Sequence, residues 1–148
     1  MYTIHNRKGD LQECLKILVD DFHQTIVATI GADGHPVTRS IDMSYYDDKG
    51  VYFITGTFKE FYNQLMEQKY VSVSAVDKNR NITLSGYVEN IGQDHLKEIF
   101  EKNPYLQPLY TPEDRKTLNV FRIKNAKGTI LDISDPDNVT RSNFVIGD

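Results

Sequence analysis

The chain has 148 residues and a mass of 17.0 kDa, room for one domain with a real core, and no composition shift divides it. Its net charge of −4 and pI near 5.5 provide no field for nucleic acid or anionic lipid, so neither partner is expected. The apolar runs are only a few residues long, far short of a bilayer crossing, and Met1 to His5 lacks a signal-peptide core, which predicts a cytoplasmic protein.

Leu11, Cys14, Leu15, Leu18, Val19 and Phe22 recur at helical spacing, the stripe of an amphipathic helix. Cys14 falls inside that stripe with nothing basic beside it, so it reads as a small core residue rather than a reactive thiol. It is the only cysteine, and His5, His23, His35 and His95 lack ligand spacing, so neither a disulfide nor a structural metal is expected.

From His23 the period becomes strand-like, turns at Asp33-Gly34, and resumes as Val37, Arg39, Ile41, Met43 and Tyr45 on one face against Thr38, Ser40, Asp42 and Ser44 on the other. Arg39 therefore stands on an apolar face. Desolvating a permanent cation costs several kcal/mol unless an anion meets it, and that anion is either an internal carboxylate such as Asp42 or Glu89, or a ligand. After the turn Asp47 to Gly50, Val51 to Thr55 forms a further strand and places Thr55 on the face of Val51 and Phe53. Phe58, Phe61, Tyr62, Leu65 and Met66 then recur as a helix. Thr57-x-x-Glu60 fits a capping box, while the same helix start offers free amides to an anion. Lys59 in a first helical turn is poorly placed for the helix dipole and better explained by a phosphate.

Tyr70 to Val76 and Ile82 to Ile91 alternate as a hairpin across Asp77 to Asn81, and Gln93 to Lys102 reads as a helix ended by Asn103-Pro104. A short helical turn is expected near Tyr110 to Asp114. Val120 to Ile123 and Thr129 to Ile133 form a last hairpin across Asn125 to Gly128, and residues 136–148 show no period and read as a mobile tail. Short antiparallel strands with inserted helices predict an α+β chain, a closed or nearly closed β-barrel with covering helices.

In this order, Ala28-Thr-Ile-Gly-Ala-Asp-Gly-His-Pro-Val-Thr-Arg-Ser-Ile41, Gly50-Val-Tyr-Phe-Ile-Thr-Gly-Thr-Phe-Lys-Glu-Phe-Tyr-Asn-Gln-Leu65, Tyr70-Val-Ser-Val-Ser74, Leu84-Ser-Gly-Tyr-Val88 and Asn103-Pro-Tyr-Leu-Gln-Pro-Leu-Tyr110 resemble the pyridoxamine 5′-phosphate oxidase-like family of FMN-binding split β-barrels. The resemblance implies an antiparallel split barrel, an FMN cofactor and a homodimer in which two subunits build each site. It assigns Arg39, Ser40 and Ile41 to the flavin, and Thr55, Gly56, Thr57 and Lys59 to the phosphate end. Two departures qualify it: Phe61 stands where many relatives carry a lysine, and Arg141-Ser-Asn143 replaces an Arg-x-His segment used for the substrate phosphate in the vitamin B6 reaction.

The function implied is an FMN-dependent oxidoreductase for a small organic molecule, of the flavin-reductase or nitroreductase kind, with NAD(P)H as electron source. It is not an authentic pyridoxamine phosphate oxidase. A non-catalytic flavin- or haem-binding protein is the alternative, and an interaction domain with an internally paired Arg39 is a third. No acid or base stands out as catalytic; Tyr45, Tyr87, Tyr105 and Tyr110 are candidates for stacking on a flavin or substrate.

Overall fold

In the computed structural model, which describes residues 3–148, the Leu11 stripe forms helix α1 (Leu11–Lys16) and continues in π-helical winding over Ile17–Phe22. The Asp10 carboxylate accepts from the Glu13 amide and caps its start. Cys14, Leu15, Leu18 and Val19 are buried, and burial pushes the Cys14 thiol pKa up, opposite to what a reactive thiolate needs.

Strands β1 (Ile4–Lys8), β2 (Gln24–Ile30), β3 (Pro36–Asp42), β4 (Tyr45–Asp47) and β5 (Gly50–Gly56) lead into helix α2 (Glu60–Gln68). Then follow β6 (Tyr70–Val76), β7 (Arg80–Asn90), α3 (Leu96–Lys102), a 3₁₀ helix (Pro104–Leu109), α4 (Pro112–Arg115), β8 (Leu118–Asp132) and β9 (Val139–Ile146). The nine strands among the described residues form one sheet in the order β1-β9-β8-β7-β6-β2-β3, with β5 on β8 and β4 on β5. All pairs are antiparallel except β1 with β9, which is parallel.

The α+β class is as expected, but the sheet does not close into a barrel: β3 and β5 are not paired with each other, and α2 packs against both β2 and β5. The expected last hairpin is also corrected. Residues 118–132 form one strand, whose first part pairs with β5 and whose last part pairs with β9, while β7 runs along its other edge. Asn125 takes a left-handed conformation, φ 47°, as a single-residue irregularity and not a turn. Gly128 is small because the Phe144 ring lies 2.2 Å from where its Cβ would stand, a packing requirement that looks like a turn residue in the sequence. The supposed mobile tail contributes β9, with Ser142, Phe144 and Ile146 buried. Val139 is buried on the opposite parity, and this phase break hid the strand.

The core divides along β5. Val51 and Phe53 face a main cluster with Val27, Phe61, Leu65, Leu84 and Phe121, whereas Tyr52 faces a second cluster with Leu96, Ile99, Phe100, Leu118 and Val120 beneath α3. With both faces covered, β5 is buried almost end to end, and each such aromatic contributes roughly 1.5–3 kcal/mol of burial. That rigidity fixes Thr55 at the strand's end.

Candidate functional site

Arg39 sits opposite Val27 in the β2–β3 hairpin and turns inward, as its alternation with Ser40 requires. Its Nη1 donates to the Thr29 hydroxyl at 2.7 Å and to the Val27 carbonyl at 3.3 Å; Nη2 donates to Gln64 Oε1 at 2.8 Å, and the guanidinium carbon lies 4.3 Å from the Phe61 ring centroid. Every one of these partners is neutral. The internal ion pair held open above is thus replaced: Asp42 accepts from Tyr105 and faces His23, Glu89 is taken by Arg122 and Lys124, and among the described residues no carboxylate lies within ion-pair distance of Arg39. Burial lowers the Arg39 pKa, and the charge of Glu60 acts against that shift. The side chain remains charged at neutral pH.

Thr55 lies at the end of β5 on the Val51 and Phe53 face, only 4% exposed, and its Oγ1 has no hydrogen-bond partner among the described residues. A buried hydroxyl in that state costs about 1–3 kcal/mol unless a ligand meets it. Phe61 links it to Arg39, since the Phe61 ring lies under the guanidinium and stacks at 6.0 Å on Phe53, two residues before Thr55.

Between them the chain turns into α2, and here the capping box is corrected. Lys59, not Thr57, is the N-cap residue, no side chain caps the helix, and the Thr57 amide instead donates to the Thr117 carbonyl at 2.7 Å. The cause is a Gly56 to Lys59 turn, closed by Lys59 N–H to Gly56 C=O at 3.2 Å, which starts the helix two residues late for that box. The Phe58 ring folds back over Gly56, 2.6 Å from where a Cβ would stand. α2 therefore begins with uncapped amides and an exposed Lys59 beside it. The capping box occurs elsewhere, at Thr111 and Asp114 of α4.

Of the residues assigned by resemblance, Arg39 and Ile41 face inward, Thr55, Gly56, Thr57 and Lys59 bound the α2 start, and Ser40 points outward. Ser40 lines a shallow groove on the opposite sheet face with Ile26, Ser74 and Thr83. The fold does not bring its side chain together with Arg39.

Two histidine clusters were not legible in the sequence. Tyr105 donates to Asp42 at 2.9 Å and meets His23 Nε2 at 2.6 Å, while Tyr52 donates to both Asp47 oxygens at 2.9 and 3.0 Å and His95 lies 3.6 Å from Asp47. Both histidines hold positive φ, 60° and 65°, as few non-glycine residues do. Together they fasten the 3₁₀ helix and α3 to the end of β3 and to β4. Burial, then the Asp47 hydrogen bond, pushes the Tyr52 phenol well above its ordinary value; burial and Asp42 do the same to Tyr105.

Residues 11–132 match the pyridoxamine 5′-phosphate oxidase family. The chain belongs to that family. A pyridoxine/pyridoxamine 5′-phosphate oxidase of Bacteroides thetaiotaomicron is 28% identical over 97 residues, 64% of this chain and 46% of that protein, so the chain spans about half the length of the curated relative it matches. Among solved structures, a NimC/NimA family protein from Clostridium acetobutylicum superposes with a TM-score of 0.73 at 20% identity, covering 92% of this chain and 94% of the other. A pyridoxamine 5′-phosphate oxidase-related, FMN-binding protein from Nostoc punctiforme gives 0.56 at 13% identity, covering 90% and 82%. These likenesses show the fold. No helix among the described residues is long and apolar enough to cross a membrane.

Proposed function

We propose that this chain is an FMN-dependent oxidoreductase acting on a small organic molecule, of the flavin-reductase or nitroreductase kind, with a nicotinamide nucleotide as electron source. The observation that carries the reading is the buried, unpartnered Thr55 hydroxyl beside an uncapped helix start, with the unneutralised Arg39 on the flank of that helix. A phosphomonoester needs such a set: fixed amides, a hydroxyl, a forked cation and a mobile one in Lys59. In this reading Arg39, Thr55, Lys59 and the α2 amides would hold the phosphate, Gly56 and Thr57 would shape its approach, and Ile41 would contact the flavin. The bound flavin supplies the redox chemistry; the chain supplies orientation and exclusion of water.

The reading includes a homodimer of split barrels that completes each site. It is supported by the exposed apolar residues Ile26 and Ile30 on the outer sheet face that carries Ser40. Arg141-Ser-Asn143 argues against the vitamin B6 reaction.

The neutral hydrogen-bond partners of Arg39 include no acid or base, which favours a second reading, a flavin- or haem-binding protein without turnover. Absorbance of the pure protein decides the ligand: flavin bands near ~450 nm are expected, and a Soret band would mean haem. NADH or NADPH consumption in the presence of a nitroaromatic acceptor then separates turnover from storage. Sedimentation at micromolar concentration should give a dimer that Ile26→Asp splits with loss of flavin; a monomer that retains flavin would overturn the shared site.

A further inference from the structure

A cavity lies on the flank of α2 away from Arg39. Its volume is about 470 Å³, within the span of small-molecule sites, and it shares no residue with the Arg39 and Thr55 group. Leu65, Val88 and Phe121 form a buried floor, Met66 and Tyr87 form exposed walls, and Lys69 stands at the rim.

The cavity is built by local backbone irregularities. α2 ends with Lys69 in the left-handed conformation, φ 57°, which swings the chain into β6. Opposite it, Ser85 pairs with Lys127 but Tyr87 pairs with Lys124, so β8 carries one extra residue there, with Asn125 at φ 47°. Such a bulge bends the strand and re-aims side chains beside it. Tyr87 is 51% exposed, yet its ring is held edge-to-face by Tyr70 at 5.2 Å. A fixed, half-exposed aromatic wall suits a flat ring.

The charges at the rim do not cancel locally. Glu89 is met twice, by Arg122 at 3.0 Å and Lys124 at 3.5 Å, and Lys124 also reaches Asp148 at 3.5 Å. Lys69 makes no ion pair among the described residues. One uncompensated ammonium beside an apolar floor and an aromatic wall selects a flat apolar body bearing a single negative charge.

We propose that this cavity is a binding site for a planar aromatic monoanion, an aromatic carboxylate, with the ring against Tyr87 and Met66 and the carboxylate at Lys69. The site is independent of flavin. The probes are 2-naphthoate and 2-naphthalenemethanol, which present the same ring with and without the charge, titrated into ¹⁵N-labelled protein saturated with FMN. Naphthoate should give saturable amide shifts at Met66, Lys69, Tyr87 and Asn125 and bind at least tenfold tighter than the alcohol. Lys69→Gln should retain the native spectrum and abolish that preference, and Tyr87→Ala should weaken both probes. Shifts that fail to saturate, shifts centred on Arg39 or Thr55, equal affinity of the two probes, or a preference surviving Lys69→Gln would each overturn the proposal. The flavin reading has its own readout in FMN absorbance, so either can fail alone.

Discussion

The Arg39 guanidinium rests on the Phe61 ring, 4.3 Å from its centroid. The ring therefore takes the place of a counter-ion without supplying one, since a cation over an aromatic face gains about 0.5–2 kcal/mol and keeps its full charge. The resemblance to the family implies that many relatives carry a lysine where this chain has Phe61. Here that helix position supports the single cation of β3 in place of adding a second.

Arg39→Ala should consequently cost flavin more than fold. Gln64 Oε1 still accepts from the Thr29 hydroxyl when the guanidinium is gone, so no buried acceptor is stranded. FMN affinity should fall roughly 10- to 100-fold, the value of a charge-assisted contact at about 1.5–3 kcal/mol, while stability of the flavin-free protein falls by less. FMN titration alongside urea unfolding measures both. Unchanged affinity with a large stability loss would make Arg39 a purely structural residue.

Thr55→Val separates function from stability in the opposite direction. The substitution keeps the shape of the side chain and removes a buried hydroxyl that has no partner among the described residues. Stability without flavin should hold or rise by up to about 1 kcal/mol, and FMN binding should weaken. Calorimetry of the flavin-free form and flavin titration test the pair; a clear loss of stability would mean that the hydroxyl is satisfied within the protein.

These residues mark how far the sequence was readable. Alternation in β2, β3, β6 and β7 and a short apolar run bounded by turn residues in β5 exposed the strands, and the cation on an otherwise apolar strand face pointed to Arg39. What stayed hidden depended on partners distant in the chain. Gly128 is small because of Phe144, β9 breaks phase between Val139 and Ser142, and Thr57 lost its cap role to a turn held by Thr117. The histidine clusters join residues 63 and 82 positions apart, as in Tyr105 with Asp42 and with His23, which no local pattern encodes.

Tyr52 gives the fold an alkaline limit. Burial and the Asp47 carboxylate raise its pKa in the folded state above the ordinary phenol value near 10, so the folded protein keeps a proton that the unfolded chain has lost. The contribution is complete below pH about 10 and is lost as pH climbs toward the raised value, with a slope of up to about 1.4 kcal/mol per pH unit for one group. Tyr105 adds in the same sense, diminished by solvent because it is 44% exposed. Urea midpoints taken at successive pH values above about 9.5 should decline in the native protein and decline less steeply in Tyr52→Phe, where Tyr105 still contributes. Parallel curves would show that Tyr52 titrates alike folded and unfolded.

The start of α2 allows Lys59 and Thr57 to be told apart. Thr57 makes no cap, so Thr57→Ala should change stability by no more than about 0.5 kcal/mol, against the roughly 1 kcal/mol that a true N-cap loses. Lys59 is an exposed cation next to free helix amides, and its charge matters only to a ligand that brings a phosphate. Lys59→Ala should weaken FMN and leave riboflavin, which lacks the phosphate, unaffected, so the ratio of the two affinities is the readout. A ratio equal to that of the native protein would put the phosphate on Arg39, Thr55 and the helix amides alone, with Lys59 an ordinary solvated lysine.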